Sequence, residues 1–197
     1  MNDKRALILP GKGFSRTMEP KYYRNWHLAK DATELRVTEL EFALMRTLEA
    51  FSRWVAAADE MVGMAELKHA EHVILHVIRM QNRPKSGATI ARLLNRDDIP
   101  NIQYSLRKLE SADLIQKNKE AGTKIYTYSI TRLGEKLTNE YSKLRSELLV
   151  RNLISITDFD KRAEDATQLL SIMTGIYEES GRNSASYNRA VDIEEQP

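Results

Sequence analysis

Cysteine is absent from the sequence. With no thiol there can be no disulfide, no thiolate metal site and no cysteine nucleophile, a composition that suits a reducing compartment. Eight glycines and five prolines in 197 residues are too few for an all-β or loop-rich chain, and no glycine-rich phosphate cradle occurs. No apolar run approaches the roughly 20 residues a bilayer demands. Residues 1–10 lack both the apolar stretch and the small-residue cleavage site of a secretory leader. These absences predict a soluble, cytoplasmic, mainly helical protein. Catalytic signatures are missing as well. There is no Gly-x-Ser-x-Gly elbow, and Glu71 and His72 belong to His-Ala-Glu-His, which lacks the metalloprotease spacing. Acid pairs such as Asp97-Asp98 and Glu164-Asp165 read as helix caps and solvated faces. The expectation is neither an enzyme nor a cofactor carrier.

What is present is charge, unevenly placed. The formal net charge is only +2, yet residues 1–30 net +5 and residues 81–145 net +6, while residues 31–80 net −4. A basic arm and a basic centre between mildly acidic flanks suit a polyanionic partner better than the whole-chain figure suggests.

Periodicity divides the chain. Residues 1–30 read as a basic arm ending in Tyr22, Tyr23, Trp26 and His27. From Val37 to Val62, apolar residues recur at spacings of 3 and 4, the mark of an amphipathic helix. At 1.5 Å per residue that stripe runs for roughly 38 Å, longer than one small core needs, so it calls for a partner helix. After Gly63, a second helix is expected over residues 65–80 with Leu67, Ala70, Val73, Ile74, Val77 and Ile78 as its core face. Ser86 caps a short helix with Ile90, Leu93 and Leu94 turned inward; Asp98 caps another, with Pro100 in its first turn and Ile102, Leu106 and Leu109 inside. Residues 114–119 and 124–130 then read as a hairpin turning at Gly122. Two long helices follow, one through Leu133, Leu137, Tyr141, Leu144 and Leu148, the other from Phe159 to Tyr177. Residues 181–197 read as a polar tail.

Two short helices joined by a tight turn, the second leading into a β-hairpin, is the winged helix-turn-helix order, in which the second helix enters the major groove. The expected fold class is therefore mainly α with a small hairpin wing, flanked by long helices. The outward face of the second short helix offers Asn101, Gln103, Tyr104, Arg107 and Lys108. Asn and Gln match an adenine edge, Arg matches guanine, and Lys and Tyr hold phosphates. Lys117, Lys119 and Lys124 cluster at the hairpin tip, where a wing meets the backbone, and Thr89 on the first short helix completes the candidate DNA contacts.

In these motifs the chain resembles the MarR family of winged-helix transcriptional regulators. The resemblance spans about residues 35–177 and rests on SGATIARLLN at 86–95, on Leu109-Glu-Ser-Ala-Asp-Leu-Ile115 leading into the wing, and on Thr131-Arg-Leu-Gly134 leading out of it. It implies a homodimer held by its first and last helices, a palindromic double-stranded DNA operator and, often, repression relieved by a small molecule. The implied segments are an arm at 1–30, a dimerisation helix at 31–64, a DNA-binding module at 65–131, C-terminal dimerisation helices at 132–180 and the tail at 181–197. The wing tip, Glu120-Ala-Gly-Thr-Lys124, lacks the arginine common in the family.

His69, His72 and His76 fall on one side of the second helix, offset from its core stripe. Spacings of three and seven could offer imidazoles to zinc, could line an effector pocket, or could simply pack. The family's ligand cleft implies Trp54, Met61 and Met64 as further walls of an effector site. Three readings of the chain stay open: a ligand-responsive DNA-binding regulator, a metal-responsive one using the histidines, and a winged-helix protein–protein adaptor.

Overall fold

The computed structural model describes residues 26–119, 122 and 125–186. Among these, seven α-helices and three strands follow in the order α1 (Ala32–Met61), α2 (His69–Arg79), β1 (Lys85–Ser86), α3 (Gly87–Leu93), α4 (Ile99–Ser111), β2 (Ile115–Lys119), β3 (Tyr126–Ile130), α5 (Arg132–Arg145), α6 (Arg151–Leu153) and α7 (Phe159–Ser186). The mainly helical class with a small hairpin wing is as the periodicity predicts. No helix is long and apolar enough to cross a membrane among the described residues.

The chain divides into two compact units, Met1–Val55 and Ala56–Pro197, the division falling within α1. In the first, Asp31 caps α1 by accepting the N–H groups of Thr33 (2.7 Å) and Glu34 (2.9 Å). These two bonds hold the Asp31 carboxyl below its ordinary range. Trp26 meets Phe42 edge-on at 5.4 Å, over a small core of Ala29, Leu35 and Thr38. Along its length α1 also exposes Val37, Phe42, Met45, Leu48 and Phe51, an apolar face 41–58% open among the described residues.

The second unit holds the main core. Its centre is Ile74, Leu75 and Ile78 of α2, Ile90 of α3, Ile102, Leu106 and Leu109 of α4, and Ile115 of β2, none more than 2% exposed. The predicted inner face of α4 is therefore the observed one. That of α2 is rotated: Glu71, His72, Ile74, Leu75 and Ile78 are the buried set, while Val73 and Val77 are half-buried. On α3, Ile90 and Ala91 are buried but Leu93 is 46% exposed, against expectation.

The segment ends explain the joints. α1 stops at Gly63 (φ +86), where the Gly63 N–H meets the Glu60 carbonyl and the Met64 N–H meets that of Asp59 at 2.7 Å, a Schellman closure that tucks Met64 inside. α4 ends the same way at Asp113 (φ 56), with the Leu114 N–H on the Leu109 carbonyl. After α2, Gln81 and Asn82 both take positive φ. The chain then returns along β1, a strand too short to carry a period and absent from the expected hairpin. The sheet order is β1-β3-β2, antiparallel throughout, with Lys85 opposite Tyr128 and Lys119 opposite Tyr126. Lys85 is 5% exposed, and its ammonium donates to the carbonyls of Ile78 (3.1 Å), Met80 and Arg83 (3.0 Å), closing the end of α2. Burial pushes its pKa down, with the Arg83 charge adding to the shift.

β3 leads into α5 through Thr131, whose hydroxyl donates to the Asp113 carbonyl at 2.6 Å and accepts the Gly134 N–H. The helix start is pressed so closely on the strand entry that a Cβ at Gly134 would lie 2.1 Å from the Leu114 carbonyl oxygen. Gly134→Ala gains helix propensity, but it drives a methyl group into backbone, so a net loss of about 1–3 kcal/mol is expected by urea denaturation. An unchanged or raised midpoint would refute the close contact.

Beyond α5 the expected helix continues without a break, through a π-helical stretch, Ser146–Val150, into the three-residue α6. A turn at Asp158 (φ 56) starts α7, which stays helical to Ser186, past the predicted start of the tail at 181. α7 leaves Leu169, Leu170, Ile172, Ile176 and Tyr177 exposed.

Candidate nucleic-acid interface

α4 lies with Ile102, Leu106 and Leu109 downward, which turns the opposite face outward. Asn101, Tyr104 and Arg107 are exposed there, Tyr104 at 58%. Two residues expected on that face turn aside. Gln103 is half-buried against α3, its Nε2 only 2.8 Å from where a Gly87 Cβ would be. The Lys108 ammonium donates to the Glu66 carbonyl at 2.7 Å and lies 3.5 Å from Glu71 Oε2. Glu71, 2% exposed, also accepts the Ser105 hydroxyl (3.1 Å) and the Lys68 N–H (2.8 Å). Lys108 thus spends its donors tying α4 to the start of α2, a correction to its expected outward placement. Thr89 sits half-buried in the first turn of α3, its N–H on the Ser86 hydroxyl.

The start of α4 carries its own arrangement. Arg96 Nε donates to Asp98 Oδ1 at 2.7 Å, its Nη2 pairs with Oδ2, and Asn101 Nδ2 donates to the same Oδ2 at 3.1 Å. The Arg96 bond above all, then Asn101, holds the Asp98 carboxyl down at about 2. Asp98 occupies the cap position predicted for it, yet its side chain caps no backbone N–H; the bonds from Asn101 and Ile102 go to its carbonyl.

On the wing, Lys117 and Lys119 are exposed, with the Lys117 ammonium 4.0 Å from the centre of the Tyr126 ring. Gly122 takes φ +79 in the turn. Lys124 lies outside the described residues.

The central segment, residues 67–134, matches the family model described as a winged helix DNA-binding domain. Comparison with the curated proteins finds no match. Among solved structures, AbfR of Staphylococcus epidermidis is similar at 14% identity and a TM-score of 0.61, over 74% of this chain and 97% of that one. NMB1585, a MarR family regulator from Neisseria meningitidis, is similar at 13% identity and a TM-score of 0.60, over 76% and 98%. The chain has the MarR-type winged-helix fold. A third similar structure, the transcriptional repressor CouR bound to a 23-mer DNA duplex, is 20% identical with a TM-score of 0.58, over 70% of this chain and 94% of its own.

The histidines do not form the offset stripe that a helical wheel suggests. His72 is 4% exposed, and its Nδ1 lies 2.9 Å from both carboxylate oxygens of Asp59, itself 1% exposed. A carboxylate only accepts, so Nδ1 carries the proton. His76 packs on His72 with ring centres 4.4 Å apart, and the buried Tyr141 ring of α5 meets each at 4.8 Å. Burial, followed by the His72 charge, lowers His76 to about 4, so it is neutral at pH 7. Burial also raises Tyr141, with the Asp59 charge adding to the shift. His69 is half-buried at the first position of α2.

Beside this cluster, α2 and α5 enclose an open groove of about 510 Å³ whose walls include His76, Arg79, Thr138, Tyr141 and Arg145. Of the six residues expected around an effector, His76 is the one that lines it. Met64 is buried, Met61 is 67% exposed, and Trp54 is half-buried in the other unit. Among the described residues no group of three or more His, Asp or Glu side chains is placed to hold a metal ion. Sequence reasoning missed Asp59, Tyr141 and Arg145. Tyr141 was visible only as one apolar residue of a stripe, and Asp59 had no signal beyond an acid among Val55, Ala58 and Val62.

Proposed function

We propose that the chain is a homodimeric, sequence-specific DNA-binding transcriptional regulator that acts as a repressor and is released by a small molecule. The observation that carries this reading is the outer face of α4, where Asn101, Tyr104 and Arg107 are exposed over a fully buried underside; Lys117 and Lys119 of β2 are exposed as well. Residues 65–131 serve as the DNA-binding module in this reading. Asn101 and Arg107 read base edges, and Tyr104, Lys117, Lys119 and Lys124 hold the backbone. Thr89 and Gln103 contribute where α3 meets α4, and Lys108 acts through its hold on Glu71.

The exposed apolar residues of α1 and of α7 support a two-fold dimer built from residues 31–64 and 132–180. Two α4 helices about one DNA turn apart would then fit a palindromic site. The groove bordered by His76 and Arg145 supports effector control; His69, His72, Trp54, Met61 and Met64 are the other effector candidates that the sequence offers. A ligand there would shift the balance between arrangements that do and do not match the half-site spacing. The basic arm, residues 1–30, adds non-specific attraction.

Binding to DNA upstream of the chain's own gene and to a scrambled duplex, at near-physiological salt, tests the reading. Arg107→Ala should cost about 1–3 kcal/mol on the specific site and relax one position of it. Lys119→Ala should weaken both duplexes alike and lower the salt slope by about 1. Equal losses on both duplexes for Arg107→Ala would exclude base reading by that side chain.

A further inference from the structure

The start of α4 is arranged unusually for a helix end. An aspartate at the cap position ordinarily accepts an N–H from its own helix. Asp98 does not, because the first free N–H groups of α4 are taken by carbonyls: Ile99 by Asp97, and Asn101 and Ile102 by Asp98 itself. Pro100 has no N–H to offer. The helix end therefore presents no free amide to a phosphate, and the Asp98 carboxylate is left for side chains. Arg96 grips both of its oxygens, which fixes the plane of the carboxylate, and Asn101 donates to the oxygen on its own side at 3.1 Å.

This chain of bonds decides how the Asn101 amide points. An amide rotates readily by half a turn, exchanging its oxygen and nitrogen, and the two orientations present opposite donor–acceptor orders to a base. Asp98 is ionised throughout the neutral range, so it can only accept. The Asn101 side chain must give it an N–H and must keep its oxygen away. One N–H is thereby used, and one N–H and the oxygen remain side by side. That pair complements adenine, which presents an acceptor (N7) beside a donor (N6) in the major groove. Guanine presents two acceptors there, so the fixed oxygen would face another oxygen. An unfixed amide could turn to offer guanine its N–H groups.

We propose that Asp98, clamped by Arg96, is a specificity-determining residue that locks the Asn101 amide in the orientation that reads adenine over guanine at one position of each half-site. The inference rests on the reading of α4 as the DNA-recognition helix. Asp98 acts through Asn101 and touches no base in this account; it is a positioning residue, and its effect lies in discrimination rather than in affinity for DNA at large.

The test uses the full-length chain. Duplexes bound by the wild-type protein are selected from a random pool, and each position of the selected site is then changed in turn to all four bases. One position should favour adenine over guanine by roughly 5- to 150-fold, the range a bidentate pair supports. Asn101→Ala and Asp98→Ala should each bring that one ratio close to unity and leave the other positions unchanged. The double variant should lose no more than either single one, because both act on the same contact. A side-chain amide NMR spectrum of the free protein supplies a second measurement. The two Asn101 N–H protons should be well separated in the wild type and draw together in Asp98→Ala.

If Asp98→Ala retains the full adenine preference while Asn101→Ala abolishes it, Asp98 is not the positioning residue and the proposal fails. The same holds if the position read by Asn101 favours guanine, or if the amide spectrum is unchanged by Asp98→Ala. Failure of the wild-type chain to select any sequence would instead overturn the regulator reading itself, an outcome distinct from selection of a site at which Asn101 reads nothing.

Discussion

Replacing Asp59 by alanine is expected to remove about 3–5 kcal/mol of stability, the usual cost of stripping one member from a buried charged or charge-assisted pair. Against the roughly 5–15 kcal/mol that holds a typical domain together, this is a large share. The reason lies in what remains behind. His72 is 4% exposed and its Nδ1 proton has both Asp59 oxygens at 2.9 Å; without them the proton has no acceptor and no route to water. The main chain is untouched, since the Met64 N–H closes on the Asp59 carbonyl whatever the side chain. Asp59→Asn keeps an oxygen that can accept from Nδ1 and should cost clearly less than alanine. Urea denaturation of both variants and of His72→Ala, combined as a double-mutant cycle, isolates the coupling between the two side chains. A loss below about 1 kcal/mol for Asp59→Ala, typical of a change away from buried features, would mean that the pair is not what holds the end of α1 to α2.

The second large effect is acid sensitivity centred on His76. In the folded chain its pKa is lowered to about 4 by burial and, behind that, by the charges of His72, Arg79 and Arg145. In the unfolded chain it returns to an ordinary histidine value near 6.5. Between those two values the unfolded state binds the extra proton, so lowering the pH favours unfolding. The contribution is complete above about pH 6.5 and is lost as pH falls toward 4, to a maximum of roughly 3 kcal/mol. Other groups titrate in the same range, so the readout is a difference: the stability of His76→Phe should fall less steeply than that of the wild type between pH 6.5 and 4.5. Parallel profiles would show that His76 keeps an ordinary pKa in the fold.

Which parts of this architecture could be read from the sequence follows from what a hydropathy pattern can encode. α4 and the two long strands were legible because Ile102, Leu106 and Leu109 repeat with the helical period and Tyr126 to Ile130 are strand formers bounded by a glycine turn. β1 was not, since two residues have no period, and its key member is a lysine that any hydropathy scale places outside. The histidines were misplaced for a related reason. Counting them as polar turned the α2 wheel so that Val73 and Val77 fell in the core, whereas Asp59, thirteen residues upstream, supplies the partner that lets His72 enter it. The α4 wheel put Lys108 on the open face because it lies on the flank, where the position alone is ambiguous; a buried acid on α2 decides it. His72 and Lys108 were misplaced because their acid partners are distant in sequence, and Lys85 because backbone carbonyls, which no side-chain pattern records, receive its ammonium. The candidate DNA-facing residues Asn101, Tyr104 and Arg107 needed no such partner to be exposed, and a local pattern sufficed to single them out.

Lys85 has a consequence for anyone who would transplant this wing. The hairpin looks like a self-contained cassette, residues 114–131, that could be moved to another scaffold to change what it grips. Its third strand, however, delivers an ammonium to three carbonyls at the end of α2. A graft that takes the hairpin alone leaves β3 without its outer neighbour in the recipient, and leaves three inward carbonyl oxygens in the donor with nothing to receive if β1 is cut away with it. The portable unit runs from the last turn of α2 through the first turn of α5, and a chimera with borders inside that span should be recovered mainly in inclusion bodies.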